Sequence, residues 1–298
     1  MRKSIVLCLI GLCAASIGMA ESSQSRIVID SIQSKTLNTY RTYSILLPAG
    51  YDEQTDRKYP ILYLLHGMWD KNQCWAQKGN LLEVYNRLIA SDEIDEMIIV
   101  TPNAGGNLFA GEINGYFNMP NWQYEKFFFT EFLPYIESTY RIKTDKKHRA
   151  IAGLSMGGGG SVSYAQRHPE LFQSVYAMSA SLSLEERKKN IQENSELEIL
   201  RKDLDDSIEK NDCVNFVTSA DSSKIKQLKS IKWFIDCGDD DFLFDCNVRF
   251  VQAMKKASIP CQFRVRDGGH DWEYWHSALY ICLPFVNRGF KRRIPGIK

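Results

Sequence analysis

Two hydrophobic rhythms alternate along this chain. Short apolar runs at 59–66, 97–101, 148–152, 172–178, 231–236 and 262–266 read as strands. The stretches 80–91, 123–139, 158–168, 243–257 and 273–287 carry apolar residues every three or four positions and read as helices. Two alternating segments ahead of them, 27–32 and 40–48, predict an opening hairpin. Strands alternating with helices predict an α/β fold, a mostly parallel central sheet flanked by helices. The helix over 123–139 presents Tyr124, Phe128, Phe132 and Tyr135/Ile136 as one stripe, which predicts a face buried on the sheet. Pro134 removes a backbone donor from that helix and is expected to kink it. Residues 183–230 break the rhythm. They open with Glu185-Glu186-Arg187-Lys188-Lys189 and are dense in charge, so they read as a cap insertion over a site or as a solvated helical excursion.

The chemistry gathers where the strands end. Gly153-Leu154-Ser155-Met156-Gly157 spells G-x-S-x-G, the nucleophile elbow of the α/β-hydrolase fold. A serine on a sharp strand-to-helix turn projects its Oγ into a cleft, and the flanking glycines let strand and helix pass closely. On that fold an acid and then a histidine follow the serine in chain order. Downstream lie Cys237-Gly238-Asp239-Asp240-Asp241-Phe242 and Gly268-Gly269-His270-Asp271-Trp272, each after a strand. Ser155 is therefore the candidate nucleophile and His270 the candidate base. The other histidines are His66, His148, His168 and His276, and none of them follows a strand through a Gly-Gly turn. The acid lies among Asp239, Asp240, Asp241 and Asp245. The apolar run ending in His66-Gly67 sets up the second oxyanion donor. The two N–H groups are expected from Met68 and Met156, with the His66 backbone mattering more than its ring. Trp69 and Trp272 border these motifs and are candidate substrate contacts; Trp75 and Trp275 read as packing.

Taken together, Leu65-His66-Gly67, the elbow Gly-Leu-Ser-Met-Gly-Gly, Glu131-Phe132-Leu133-Pro134-Tyr135-Ile136-Glu137 and Gly269-His270-Asp271-Trp272 resemble the esterase D / feruloyl esterase group. That group includes feruloyl and acetylxylan esterases, S-formylglutathione hydrolases, enterochelin esterases and mycolyltransferases. The resemblance covers residues 27–290. It implies an α/β-hydrolase fold, a serine esterase activity and no cofactor or metal. Its pattern Cys-Gly-x-x-Asp-Phe implies Asp241 as the acid, with Asp240 the alternative. It also implies a small-molecule or polysaccharide ester as substrate, such as feruloyl or acetyl groups on xylan. Acyl transfer to a sugar, thioester hydrolysis of the S-formylglutathione type and a non-catalytic binding module are the competing readings.

Composition narrows the setting. Arg2 and Lys3, an apolar stretch from Ile5 to Ala15, and Gly18-Met19-Ala20 form a secretory signal pattern over residues 1–20. It predicts one esterase domain over 21–298, secreted or periplasmic. The apolar run is short of the roughly 20 residues a membrane span needs. The whole chain carries 37 Lys and Arg against 36 Asp and Glu, so no basic field favours nucleic acid. Six cysteines remain after the signal: Cys74, Cys213, Cys237, Cys246, Cys261 and Cys282. Disulfides and buried thiols are equally open readings, and no spacing suggests zinc.

Overall fold

A computed structural model describes residues 24–105, 115–183, 206–207 and 209–291. The opening hairpin forms from β1 (Arg26–Ser34) and β2 (Thr39–Leu47). The remaining strands of the main sheet are β3 (Ile61–Leu65), β4 (Ile98–Pro102), β7 (Arg149–Leu154), β8 (Ser174–Met178), β9 (Lys232–Gly238) and β10 (Cys261–Arg266). A separate small ribbon pairs β5 (Asn118–Met119) with β6 (Trp122–Gln123). The eight-stranded sheet runs β1-β2-β4-β3-β7-β8-β9-β10. β2 pairs antiparallel with β1 and β4; every other neighbour pair is parallel.

Side chains alternate across the central strands and fill two cores. Ile61, Tyr63, Leu65, Ile151, Val175, Ala177 and Ile235 face one; Leu62, Leu64, Ala150, Ala152, Tyr176, Met178 and Phe234 face the other. Residues buried on both faces explain the near-continuous apolar runs. The second core is closed by α2 (Leu81–Ala90) and by α9 (Trp272–Phe290), the last helix. The first is closed by α3 (Tyr124–Phe127), α4 (Leu133–Thr139), α5 (Ser155–Arg167) and α8 (Phe244–Lys256). The short helices α1 (Cys74–Gln77), α6 (Cys213–Thr218) and α7 (Ser222–Leu228) complete the set. No helix among the described residues is long and apolar enough to cross a membrane.

The expected helix over 123–139 is not one helix. A π-helical turn, Phe128–Phe132, separates α3 from α4. Pro134 explains it: an ordinary α turn would leave the Thr130 carbonyl without a donor and press it against the proline ring, and a wider turn relieves both. The aromatic stripe still packs as expected, with Phe128 and Phe132 against Tyr63. Glu137 at the end of α4 holds Arg149 in a buried two-pronged ion pair at 2.6 and 2.7 Å, which ties that helix to the start of β7.

The helix after the elbow begins at Ser155, earlier than the expected 158, because the serine itself turns the chain from strand into helix. The signal region 1–20 and most of the insertion, 184–205, lie outside the described residues. The later part of the insertion forms α6, packed beside α5 and α8, and then α7. None of the six cysteines after the signal region, all among the described residues, forms a disulfide; five are buried and Cys261 is half-buried. Desolvation pushes the Cys261 thiol up to about 12.

Candidate active site

The chain leaves β3 towards β4 on one side, then returns across β3 to build β7 on the other. Ser155 and Met68 follow β7 and β3 at that switch point, where open α/β sheets form a cleft. Ser155 sits at φ +51°, a left-handed conformation that a non-glycine residue adopts only under constraint. The glycines around it explain how. A Cβ on Gly153 would stand 2.4 Å from the Gly157 carbonyl oxygen, and one on Gly157 would stand 2.5 Å from that of His66. Neither position has room for a side chain.

Four distant segments meet here. His270 Nε2 lies 3.0 Å from Ser155 Oγ. His270 Nδ1 lies 3.0 and 2.9 Å from the two Asp241 carboxylate oxygens. The Asp241 side chain is fully buried, whereas Asp239 and Asp240 are exposed. Asp239 accepts the Gly268 N–H at 3.2 Å and so staples the two loops together without touching the histidine. Burial opposes ionisation of Asp241. Hydrogen bonds from His270, Ser179 and the Leu243 N–H outweigh it and hold the carboxyl below its ordinary value. The acceptor that His270 needs on its Nδ1 side is thus present as a carboxylate.

The candidate oxyanion donors are shaped by two side chains, the His66 ring and Tyr116, to which the sequence reading gave little or no part. Met156 is the second residue of α5, so its N–H belongs to the unpaired first turn of the helix. Met68 follows a peptide held by the His66 ring. The Ala104 N–H donates to His66 Nε2 at 2.9 Å, so Nδ1 carries the proton and donates it to the Gly67 carbonyl at 2.7 Å. That carbonyl and the Met68 N–H belong to one trans peptide and point opposite ways. The ring therefore sets the direction of the Met68 N–H, a larger part than expected, since the sequence reading weighted the His66 backbone above its ring. Burial lowers the His66 pKa to about 4, partly opposed by its bond to Gly67. Tyr116 adds a clamp: its hydroxyl accepts from the His66 N–H at 2.7 Å and donates to the His66 carbonyl at 3.1 Å.

Ser179 is a second residue that sequence reading missed. It is buried, sits at φ +45°, and accepts the Trp275 indole N–H at 3.0 Å while bonding Asp241. Its place at the end of β8, beside the elbow strand, was the available signal. The Trp275 ring stands edge-on to His270 at 4.9 Å between centroids.

The two candidate tryptophans part company. Trp69 is 76% exposed and adopts φ +68° immediately after Met68. Trp272 instead packs edge-to-face with Trp75 and Trp275, at 5.2 and 5.4 Å, under the Lys78 ammonium. Packing accounts for its ring. Among the described residues, Asp239, Asp240 and Asp267 are close enough to share a cation, but all three are exposed and none is Asp241.

The family described as "Putative esterase" matches residues 34–286. The chain belongs to this esterase family. A solved ferulic acid esterase is 55% identical, with a TM-score of 0.84, over 90% of this chain and 100% of that one. An endo-1,4-beta-xylanase/feruloyl esterase of Xylanibacter ruminicola is 27% identical over 251 residues, 83% of this chain. This chain spans only 29% of that protein's length. An acetyl esterase of Caldicellulosiruptor saccharolyticus is 24% identical over 276 residues, 86% of this chain and 96% of that one. The protein is a carboxylic ester hydrolase with the α/β-hydrolase fold, and its relatives place it in the feruloyl esterase-like group.

Proposed function

We propose that this protein is an exported serine esterase that removes feruloyl or acetyl groups from polysaccharide through a Ser155–His270–Asp241 relay. One observation carries the mechanism: the unbroken line from Ser155 Oγ through both nitrogens of His270 to a buried carboxylate, every step at 3.0 Å or less. Ser155 Oγ attacks the ester carbonyl carbon and gives its proton to His270 Nε2. The carbonyl oxygen becomes an oxyanion facing the Met68 and Met156 N–H groups. Collapse breaks the bond to the leaving oxygen, which takes the proton from His270 as the alcohol departs. Water then attacks the acyl-serine with His270 as base, and the acid leaves. Asp241 keeps the proton on Nδ1 and balances the imidazolium charge.

The substrate class rests on the named activities of the relatives, and export rests on the signal pattern of residues 1–20. Ser155→Ala is expected to lower kcat on p-nitrophenyl acetate by at least about 10³-fold with an unchanged circular dichroism spectrum. It should also abolish labelling by a fluorophosphonate. A variant keeping more than a tenth of the activity would exclude the serine mechanism. The exported protein should begin near Glu21 on N-terminal sequencing; recovery of soluble material that keeps residues 1–20 excludes export.

A further inference from the structure

Trp69 combines two features that each lower stability. Its backbone is left-handed, at φ +68°, where an L side chain crowds the following carbonyl. Its indole is 76% exposed and forgoes the burial that a large ring normally gains. Such strain is maintained where it serves a site. Phe242 makes a similar sacrifice. It follows Asp241, is 70% exposed, and rests on the His270 ring at 4.5 Å. The other large apolar side chains exposed among the described residues, Ile29, Tyr40 and Val265, belong to the outer strands β1 and β10 and to the hairpin start of β2.

The sheet order places these two rings on opposite sides of the nucleophile. Trp69 follows β3, Ser155 follows β7, and Phe242 follows β9, with β3 and β9 on opposite sides of β7. The chemistry then gives each ring a different part of the ester. The leaving oxygen must face His270 Nε2, the atom that returns its proton, so the alcohol lies on the His270 side with Phe242. The acyl chain leaves the same carbon away from His270 and beside the oxyanion, which the Met68 N–H holds on the β3 side, where Trp69 follows. An exposed indole face binds a planar ring by stacking, and a small acyl group leaves it unused.

We propose that Trp69 and Phe242 determine specificity on the two sides of the scissile bond: Trp69 stacks on an aryl acyl group, and Phe242 contacts the leaving alcohol. This assignment rests on the serine-esterase reading above. Two substrates separate the sides: methyl ferulate has an aryl acyl group and a small alcohol, whereas p-nitrophenyl acetate has the reverse. The measured quantity is the ratio of kcat/KM for methyl ferulate to that for p-nitrophenyl acetate, in the full exported chain. Trp69→Ala should lower this ratio about tenfold, mostly through KM for methyl ferulate, consistent with one lost stacking contact. Trp69→Phe should keep it within about threefold of wild type. Phe242→Ala should raise it. Trp69→Gly relieves the left-handed strain, so it should melt no lower than wild type and still show the lowered ratio, which separates binding from folding. A ratio within about twofold of wild type in Trp69→Ala, or an unmoved or lowered ratio in Phe242→Ala, overturns that residue's assignment. A wild-type chain that hydrolyses neither ester and takes no fluorophosphonate overturns the serine-esterase reading, and this assignment with it. An active wild type with unmoved variants overturns this assignment alone.

Discussion

Three consecutive aspartates follow Gly238, and one of them faces His270. Asp241→Asn keeps the shape but offers a donor where an acceptor is needed, which favours the wrong imidazole tautomer. A loss of about 10²- to 10⁴-fold in kcat is expected, by comparison with serine hydrolases in general. Asp240→Asn should stay within about tenfold, because that carboxylate is exposed. Asp239→Asn should also stay within about tenfold, since its role is to accept the Gly268 N–H. Assayed side by side near neutral pH, a dead Asp240 variant beside an active Asp241 variant would shift the assignment by one residue. The candidate nucleophile and candidate base were legible from motif and order alone. Chain order left the candidate acid open among four aspartates, and the family pattern pointed to Asp241; neighbouring aspartates are otherwise identical in sequence and differ only in burial. Ser179 and the His66 ring were equally hidden, since their roles depend on partners far along the chain.

At the level of elements, the elbow works because β7, α5 and β3 approach within backbone contact. Gly157→Ala would push a methyl group to 2.5 Å from the His66 carbonyl oxygen and 2.7 Å from that of Leu65. Backbone on both sides leaves nothing flexible to yield. We expect a loss of about 3 kcal/mol or more, a fall in Tm of roughly 6 to 12 °C for a domain of this size. Activity should fall further than stability explains, because both carbonyls lie at the end of β3, just before the candidate Met68 donor. A variant that melts like wild type would show that the elbow has slack the distances deny. The strands and most helices were readable from periodicity. The π turn before α4 was readable only as a disturbance at Pro134, because how a helix absorbs a proline depends on what its widened turn packs against.

Across the whole molecule, two buried groups make acid destabilising. His66 is neutral in the fold down to about pH 4, while an unfolded histidine takes its proton near 6.5. The unfolded state therefore binds more protons between those values, and stability falls as pH drops from about 6.5 towards 4. The difference corresponds to about 3 kcal/mol. Asp241 acts in the same sense at lower pH: its depressed carboxyl contributes stability above the ordinary carboxylate value, and this is lost as pH falls through its folded pKa. Urea midpoints at pH 7.5, 6, 5 and 4.5 should fall steadily in the wild type. His66→Gln keeps a donor and an acceptor without a titrating ring, and its midpoint should fall less steeply over the same range. Parallel slopes in the two proteins would exclude His66 as a source of acid sensitivity.

The sequence by itself determined the strand–helix alternation, the order of the candidate nucleophile, acid and base, and the positions of the sharp turns. These are properties of neighbouring residues: periodicity, glycine spacing and chain order survive without any fold. Only the tertiary structure decided which aspartate is buried against His270, that the His66 ring directs a peptide N–H, and that Trp69 is exposed while Trp272 is packed. Each of these depends on desolvation or on a contact between segments that the chain holds tens to more than a hundred residues apart. Burial and direction arise only when the sheet brings those segments to one edge.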